Sequence, residues 1–294
     1  MNAELKEVSP QVRERLAFID FFAYFLGRVG RKELSDRFGI SAPVATRDFR
    51  LYNQIAPDNL VYRPSDRAYF KSDNFSLITT LSVDKCLSTL NDGFGDFECI
   101  EQQLKISESS RLGKPDLKTI AAITRAIHTK TAVEITYFST GTGESKRTIV
   151  PHTLVDTGMR WHARSYCRKN KQFRDFVINR IIKVEDTHAG STLKDESKTN
   201  DCDWIEKISL DIRPHPKLQD KTRAIELDYG MEKSQLLVNC RLATASYILS
   251  GWNIDCTEDQ SETGNQFHLY LHNSKSIFEK HSGKLFVSTS NSKK

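Results

Sequence analysis

The segment from Arg147 to Lys183 spaces its basic residues as a β-strand would, and this pattern restricts the fold more than any other feature of the chain. It carries nine lysines and arginines, with Asp156 and Asp175 as its acidic residues. Successive side chains of a strand point to opposite faces of a sheet, so the runs 160–167 and 173–181 predict two strands with basic faces. The residues predicted on that shared face are Arg160, His162, Arg164, Tyr166, Arg174, Phe176 and Arg180. Cations that converge in this way predict a binding site for an anion.

The distribution of charge and of polar segments predicts three parts, which we place at 1–110, 118–190 and 203–294. The stretches 107–115 and 191–201 are polar and lack a hydrophobic period, as linkers do. Between them, residues 111–202 hold 17 basic and 10 acidic side chains, whereas 1–110 hold 14 and 16 and 203–294 hold 12 and 12. The net positive charge of the chain therefore lies in the middle part. The length of 294 residues leaves room for more than one core.

The remaining composition predicts a cytoplasmic protein without a cofactor. No apolar run approaches the ~20 residues that a membrane span needs, and the first residues do not resemble a secretory signal. The six cysteines show no paired short spacing, so we expect neither a disulfide framework nor a zinc site. We also expect no membrane partner and no metal.

The first part has the pattern of a helix-turn-helix. Apolar residues recur at helical spacing from Val12 to Leu26, and a short helix is predicted from Arg31 to Phe38, ended by Gly39. Ser41 predicts the cap of a third helix, of about residues 42–55, because a serine oxygen in that position accepts from a backbone N–H. This order of elements is typical of DNA-binding modules.

A wing and a local excess of positive charge accompany the predicted helices. The segment from Leu60 to Phe70 predicts a hairpin, and residues 28–71 hold nine basic and five acidic side chains. We expect Arg47 and Arg50 to contact base edges. Phosphate contacts are predicted for Lys32, Ser41, Thr46, Arg63 and Arg67. The alternative is a small helical interaction domain with solvated arginines.

Four blocks of the middle part resemble, in order, those of a WYL domain. The blocks are Ala132–Ser139, Arg147–Val155, Arg160–Tyr166 and Phe173–Ile181. The resemblance covers about residues 118–190 and implies an α+β multidomain protein: a winged helix, an Sm-like SH3-type β-barrel and a C-terminal αβ dimerisation domain. The full layout is similar to the BrxR and CapW type of repressor, encoded beside the BREX and CBASS phage-defence systems.

The resemblance also implies a function. It is that of a dimeric, ligand-responsive repressor that binds an inverted repeat in double-stranded DNA, in association with the bacterial nucleoid. The family's ligand pocket would correspond to Tyr137, Ser139, His152, His162, Arg164, Arg174 and Arg180. Three arginines suit an anion, and Tyr137 with Phe176 favours a nucleotide or a short single-stranded nucleic acid.

One departure from the family pattern concerns the ligand. The Trp-Tyr-Leu that names the family is here Trp161-His162-Ala163, so the identity of the ligand is not carried over. Strand alternation places Trp161 on the packing face, and we expect it in the core.

Other interpretations remain open for these residues. A surface ion pair between Arg174 and Asp175 would contribute ~0–1 kcal/mol, and Arg180 would then bind backbone carbonyls. An enzyme acting on nucleotides or nucleic acid is the alternative function, although the sequence has no carboxylate cluster or phosphate loop that such catalysis uses. In the last part, His268 and His272 share a predicted strand face without a third metal ligand.

Overall fold

A computed structural model describes residues 7–79, 86, 89–90, 113–187, 189–262, 264–281 and 283–285. The chain divides into two compact units, one formed by residues 1–155 and 160–192 and the other by residues 156–159 and 193–294. Within the described ranges, no helix is long and apolar enough to cross a membrane. The predicted linker at 107–112 and the tail beyond residue 285 lie outside the described residues.

The first unit begins with a winged helix-turn-helix, as the sequence predicts. Its elements are α1 (Pro10–Leu26), β1 (Arg28–Gly30), α2 (Arg31–Phe38), α3 (Ala42–Ile55), β2 (Leu60–Arg63) and β3 (Ala68–Lys71). The strands pair in the order β1-β3-β2, and the β2–β3 hairpin is the wing. Helix α2 ends at Gly39, which has a φ of +62°, a left-handed conformation that glycine adopts without a side-chain clash.

Ser41 is the N-cap residue of α3, as predicted, but the predicted hydrogen bond to its side-chain oxygen is wrong. Ser41 has the extended backbone of an N-cap, but its side chain makes no capping hydrogen bond, and the contact that joins this turn is from Ala45 N–H to the Ser41 carbonyl at 3.0 Å. Pro43 removes one of the backbone N–H donors of the first turn. The helix therefore begins without the serine oxygen, which stays exposed.

The middle part of the chain forms helix α4 (Leu117–Thr129) and a five-stranded antiparallel sheet. Its strands are β4 (Val133–Ser139), β5 (Gly143–Asp156), β6 (Trp161–Cys167), β7 (Gln172–Val177) and β8 (Ile181–Asp186). They lie in the order β7-β6-β5-β4-β8. The described pairings join no residue of β7 to β8, so closure into an Sm-like barrel stays a prediction.

Helix α4 packs against α1 within the first unit. Thr124 Oγ1 donates to the Phe25 carbonyl at 2.9 Å, and Arg125 Nη1 donates to the Tyr24 carbonyl at 2.6 Å. Both acceptors lie in the last turn of α1, where carbonyls lack helical partners. A continuous apolar core joins the winged helix to the sheet, and Trp161 lies within it. The prediction that Trp161 is a core residue is confirmed.

The second unit has its own core and a mixed sheet. Its elements are α5 (Cys202–Ile205), β9 (Lys207–Pro214), α6 (Thr222–Asp228), β10 (Leu236–Arg241), α7 (Leu242–Gly251), β11 (Ile254–Asp255), β12 (Leu269–Leu271) and α8 (Ser274–Lys280). The strand order is β10-β9-β12-β11, with β11 and β12 parallel. The strand predicted to carry His268 and His272 is β12, which is limited to Leu269–Leu271, so both histidines lie outside it.

Candidate functional site

The recognition helix α3 separates apolar and basic residues on opposite sides. Ala45, Phe49 and Tyr52 are fully buried, whereas Arg47 and Arg50 are exposed. Thr46 is half-buried, and its hydroxyl donates to the Ala42 carbonyl at 2.9 Å. The helix therefore holds two guanidinium groups in solvent on a side fixed by its packing.

The other residues predicted to contact DNA are also accessible. Lys32, Ser41, Arg63 and Arg67 are exposed. The Arg63 guanidinium lies over the Phe70 ring at 4.1 Å from its centroid, a favourable cation–π arrangement. Arg67 has a φ of +50° at the wing turn. The wing thus presents two cations on either side of its tip.

Two charged residues of α1, one mostly buried and one fully buried, fix the position of the recognition helix. The first is Arg15, whose Nε and Nη2 donate to the two carboxylate oxygens of Asp48 at 2.7 and 3.2 Å. The side chains of Arg15 and Asp48 are 13% and 4% exposed. A bidentate pair of this kind has a defined geometry, so it restrains both the rotation and the axial position of α3.

The second charged residue is Asp20, whose buried carboxylate accepts a hydrogen bond from the Tyr52 hydroxyl at 2.7 Å. It also accepts from the backbone of Ile78 and from the backbone and hydroxyl of Thr79. Burial raises the pKa of the Asp20 carboxyl, and these hydrogen bonds oppose that shift. Asn59 completes the network by donating to the Tyr52 oxygen at 3.0 Å.

The predicted common basic face of β6 and β7 is wrong. The register pairs Arg164 with Asp175 and Ser165 with Arg174, and directly opposed residues of an antiparallel pair share a face. Arg164 and Arg174 therefore point to opposite sides of the sheet. The cause is the connecting loop of four residues, 168–171. A loop longer or shorter by one residue would shift the register by one and place Arg164 and Arg174 on the same face of the sheet.

The face that carries His162 and Arg164 is also buried, contrary to the expectation of a solvent-facing cationic surface. His162 is 4% exposed and Arg164 is 6% exposed. Arg164 Nη1 lies 3.5 Å from Asp175 Oδ2, so the partner of Asp175 is Arg164 and the alternative pair with Arg174 is wrong. Burial lowers the pKa of His162, and the Asp175 charge opposes this shift.

The remaining predicted pocket residues are divided between the two sides. Tyr137 is a core residue whose hydroxyl accepts from Val177 N–H at 3.3 Å, and its ring meets Phe176 edge-on at 5.1 Å. Phe176 is buried, so neither ring is open for stacking with a base. The His152 ring lies at 5.8 Å from that of Phe173, whose cross-strand partner Tyr166 is on the Arg164 side.

The two residues at strand ends differ from the expectation in their local structure. Ser139 is half-buried at the end of β4, and its hydroxyl accepts from Gly141 N–H at 3.3 Å. Arg180 lies in a 3-10 turn of residues 178–180 between β7 and β8. Strand alternation therefore does not apply to Arg180. This is why the prediction that Arg180 shares a strand face with Arg174 is wrong.

The acidic, histidine and cysteine side chains of the described ranges do not form an arrangement typical of metal or nucleophilic catalysis. Those ranges contain no group of three or more His, Cys, Asp or Glu side chains that could hold a metal. Burial raises the pKa of the Cys86 and Cys256 thiols to about 12, which makes them poor nucleophiles at neutral pH. His215 and Asp255 form a buried pair at 3.1 Å, and Asp255 also accepts from the Thr257 hydroxyl.

Three family descriptions match consecutive parts of the chain. Residues 11–92 match the winged helix-turn-helix domain of the BrxR transcriptional regulator, and residues 118–186 match the WYL domain. Residues 207–277 match the C-terminal dimerization domain of the BrxR regulator. The order of the matches is the order predicted from the sequence.

Characterised relatives match over nearly the whole length. The chain is 34% identical over 279 residues to a DNA-binding transcriptional repressor named CapW from Escherichia coli strain KTE188, covering 90% of each chain. It is 32% identical to CapW of Stenotrophomonas maltophilia, again covering 90% of each chain. Identity to CapW of Pseudomonas aeruginosa is 33%, over 84% of each chain.

Proposed function

We propose that this chain, which belongs to the BrxR and CapW family of winged-helix WYL regulators, is a DNA-binding transcriptional repressor. The observation that carries the proposal is the exposed pair Arg47 and Arg50 on a helix that Arg15 and Asp20 hold from the buried side. A rigidly held helix with outward guanidinium groups suits base contacts in a major groove. The repressor role follows the naming of the CapW relatives.

The DNA-binding part of the proposal is tested with the Arg47→Ala variant. Its affinity for an operator selected by the wild type from random DNA should fall by ~1–3 kcal/mol, with little loss on unselected DNA, because a base contact carries sequence information. Lys194→Ala, which removes an exposed cation of the second unit, is the control. Equal losses on both DNAs would reassign Arg47 to the phosphate backbone.

We propose that the repressor is a homodimer joined through its C-terminal domain, residues 203–294. The match to a dimerization domain is one support. The other is an exposed apolar patch built on Trp252, which is 58% exposed and meets the Tyr229 ring edge-on at 5.8 Å. Leu227, two residues before Tyr229, is 66% exposed. Exposed aromatic patches are typical of protein interfaces. The occupant that we assign to this patch is a second copy of the chain.

Light scattering on the Trp252→Ser variant tests the assignment. We expect dissociation to monomers at concentrations at which the wild type is a dimer, with weaker operator binding because the two half-site contacts become separate events. Ile182→Ser, which alters an exposed aliphatic residue of the first unit, should stay dimeric. A dimer of unchanged strength after Trp252→Ser would refute the patch.

The finer proposal concerns ligand and target. We propose a middle domain of residues 118–190, folded as an Sm-like barrel behind a DNA-binding part of residues 1–110, that senses a nucleotide or a short nucleic acid. Its target would be a phage-defence operon, of the BREX or CBASS kind, or its own gene, regulated in the cytoplasm at the nucleoid. Since His162 and Arg164 are buried, an anion that uses them would select a conformation in which this face opens.

The assay for ligand sensing is operator affinity with and without a panel of nucleotides and oligonucleotides. Arg174→Ala removes an exposed guanidinium and should reduce the response without changing affinity in the absence of ligand. Loss of operator binding without any ligand would instead identify a second DNA-binding surface. Turnover of the labelled compounds with Mg²⁺ would favour the alternative of an enzyme.

A further inference from the structure

Arg31 and Tyr62 form a polar pair near the turn of the wing hairpin, and the DNA contacts proposed above do not include them. Arg31 is the first residue of α2, and Tyr62 lies on the edge strand β2. Arg31 Nη2 donates to the Tyr62 hydroxyl at 3.4 Å, and its guanidinium carbon lies 5.8 Å from the centre of the Tyr62 ring. Tyr62 is 40% exposed, so the pair is accessible from solvent.

The hydrogen-bonding capacity of this pair suits an anion. The Tyr62 oxygen accepts from Arg31, and within the described residues its own O–H proton has no acceptor. The guanidinium has five N–H donors, one of which is used in this contact. No carboxylate of the described ranges is within ion-pair distance of Arg31, in contrast to Arg28, which pairs with Glu33. A phosphate oxygen would therefore meet a charged and a neutral donor together.

Stacked rings tie this pair to the recognition helix. The Tyr62 ring lies 4.9 Å from that of Tyr69 on β3, and the Tyr69 ring stacks on Phe49 of α3 at 4.2 Å with an interplanar angle of 8°. Phe49 is fully buried, one residue from Arg50. The ladder from Phe49 through Tyr69 to Tyr62 thus fixes where the polar pair lies relative to the residues proposed to contact bases.

We infer that Arg31 and Tyr62 form one phosphate-binding site, which contacts the DNA backbone beside the base contacts of α3. This inference rests on the proposed function, since it names a further contact of the same DNA-binding surface. It assigns Arg31 as the charged donor and Tyr62 as the neutral donor to a single phosphate. Because the ring contacts hold Arg31 and Tyr62 at a fixed distance from α3, the phosphate that they bind would lie a fixed number of nucleotides from the bases that Arg47 contacts.

The test uses the full-length protein and measures operator affinity as a function of salt. Arg31→Met should reduce the slope of log affinity against log salt by about 1 for each bound subunit, equally on operator and unrelated DNA. Tyr62→Phe, which keeps the ring and its stacking, should weaken binding by roughly twofold to tenfold without changing the slope. Arg28→Met, which removes a neighbouring but already paired charge, should change the slope less than Arg31→Met.

A scan of operators with single methylphosphonate substitutions locates the contact. Neutralising the bound phosphate should lower the wild-type affinity more than it lowers that of Arg31→Met, because the variant has only the Tyr62 hydrogen bond left to lose. If no substituted position removes the difference between these two proteins, the inference is wrong. Failure of this inference is distinct from failure of the proposed function: in the first case Arg47→Ala still loses operator affinity, and in the second the wild type shows no preference for the operator.

Discussion

Replacing Arg15 by methionine should loosen the recognition helix more than any change on its exposed side. The variant leaves Asp48 as a carboxylate whose side chain is 4% exposed and has lost both charge-assisted hydrogen bonds from Arg15. Removing one partner of a buried ion pair costs ~3–5 kcal/mol. Arg15 itself is 13% exposed, and water that enters at its position would solvate Asp48 in part, so we expect a loss near the lower limit, ~3 kcal/mol.

The assay must report on α3 itself. The three tryptophans, Trp161, Trp204 and Trp252, all lie outside the winged helix, so their fluorescence does not follow this part of the chain. Hydrogen exchange of peptides that cover α3 does follow it, because amide protection measures the free energy of local opening. A loss of ~3 kcal/mol corresponds to an increase of about two orders of magnitude in the population of the open state.

Two further variants separate charge burial from packing. Asp48→Leu combined with Arg15→Met removes both charges and should recover most of the loss, as replacing buried pairs by apolar residues often does. Arg28→Met breaks a solvent-exposed pair with Glu33 and should change protection by less than ~1 kcal/mol. If Arg15→Met also changes it by less than ~1 kcal/mol, the pair does not hold α3 and the reasoning is refuted.

Two other predictions concern the buried face of β6. Burial lowers the pKa of His162 below its unfolded value, so the fold is most stable above pH ~6.5, where the imidazole is neutral in both states, and it loses stability as the pH falls. Denaturation at pH 7.5 and 5.5 should therefore show a smaller loss of stability for His162→Gln than for the wild type. Arg164→Met, which removes the Arg164–Asp175 ion pair, should destabilise the first unit by ~1–3 kcal/mol, whereas Arg174→Ala should stay within ~0.5 kcal/mol of the wild type. Equal values from urea titration would contradict the assigned faces.

The winged helix could be predicted from sequence because its signals are local. Helical spacing from Val12, the glycine at position 39 and the turn at Pro64 each act over a few residues, and the structure has α1, α3 and the β2–β3 hairpin at these places. The exposed positions of Arg47 and Arg50 follow from the same helical period. Short-range sequence patterns therefore predict both the helices and hairpin of the winged helix and the residues that α3 exposes to solvent.

The arrangement of the pocket residues could not be predicted in this way. The alternation of side chains was predicted correctly within β6 and within β7. The loop at 168–171 sets the register between the two strands, and the register decides which side chains of β6 and β7 share a face. Burial of Arg164 depends on packing across the sheet, which strand alternation does not encode. Arg180 was displaced by a 3-10 turn, and no residue in 173–181 signals where the strand ends.

The sequence also holds a signal for the charged contacts between α1 and α3. Asp48 lies three residues after Ala45 and four before Tyr52, so the helical period alone places its carboxylate on the buried stripe, where an unpaired charge would be costly. Asp20 likewise interrupts an apolar run of α1. Because a buried charge accepts only partners at the correct distance and angle, pairs at two levels of α1 exclude neighbouring positions of α3 that apolar packing alone would tolerate. These pairs therefore contribute mainly by fixing the position of α3, and with it the direction in which Arg47 points, and less by adding stability.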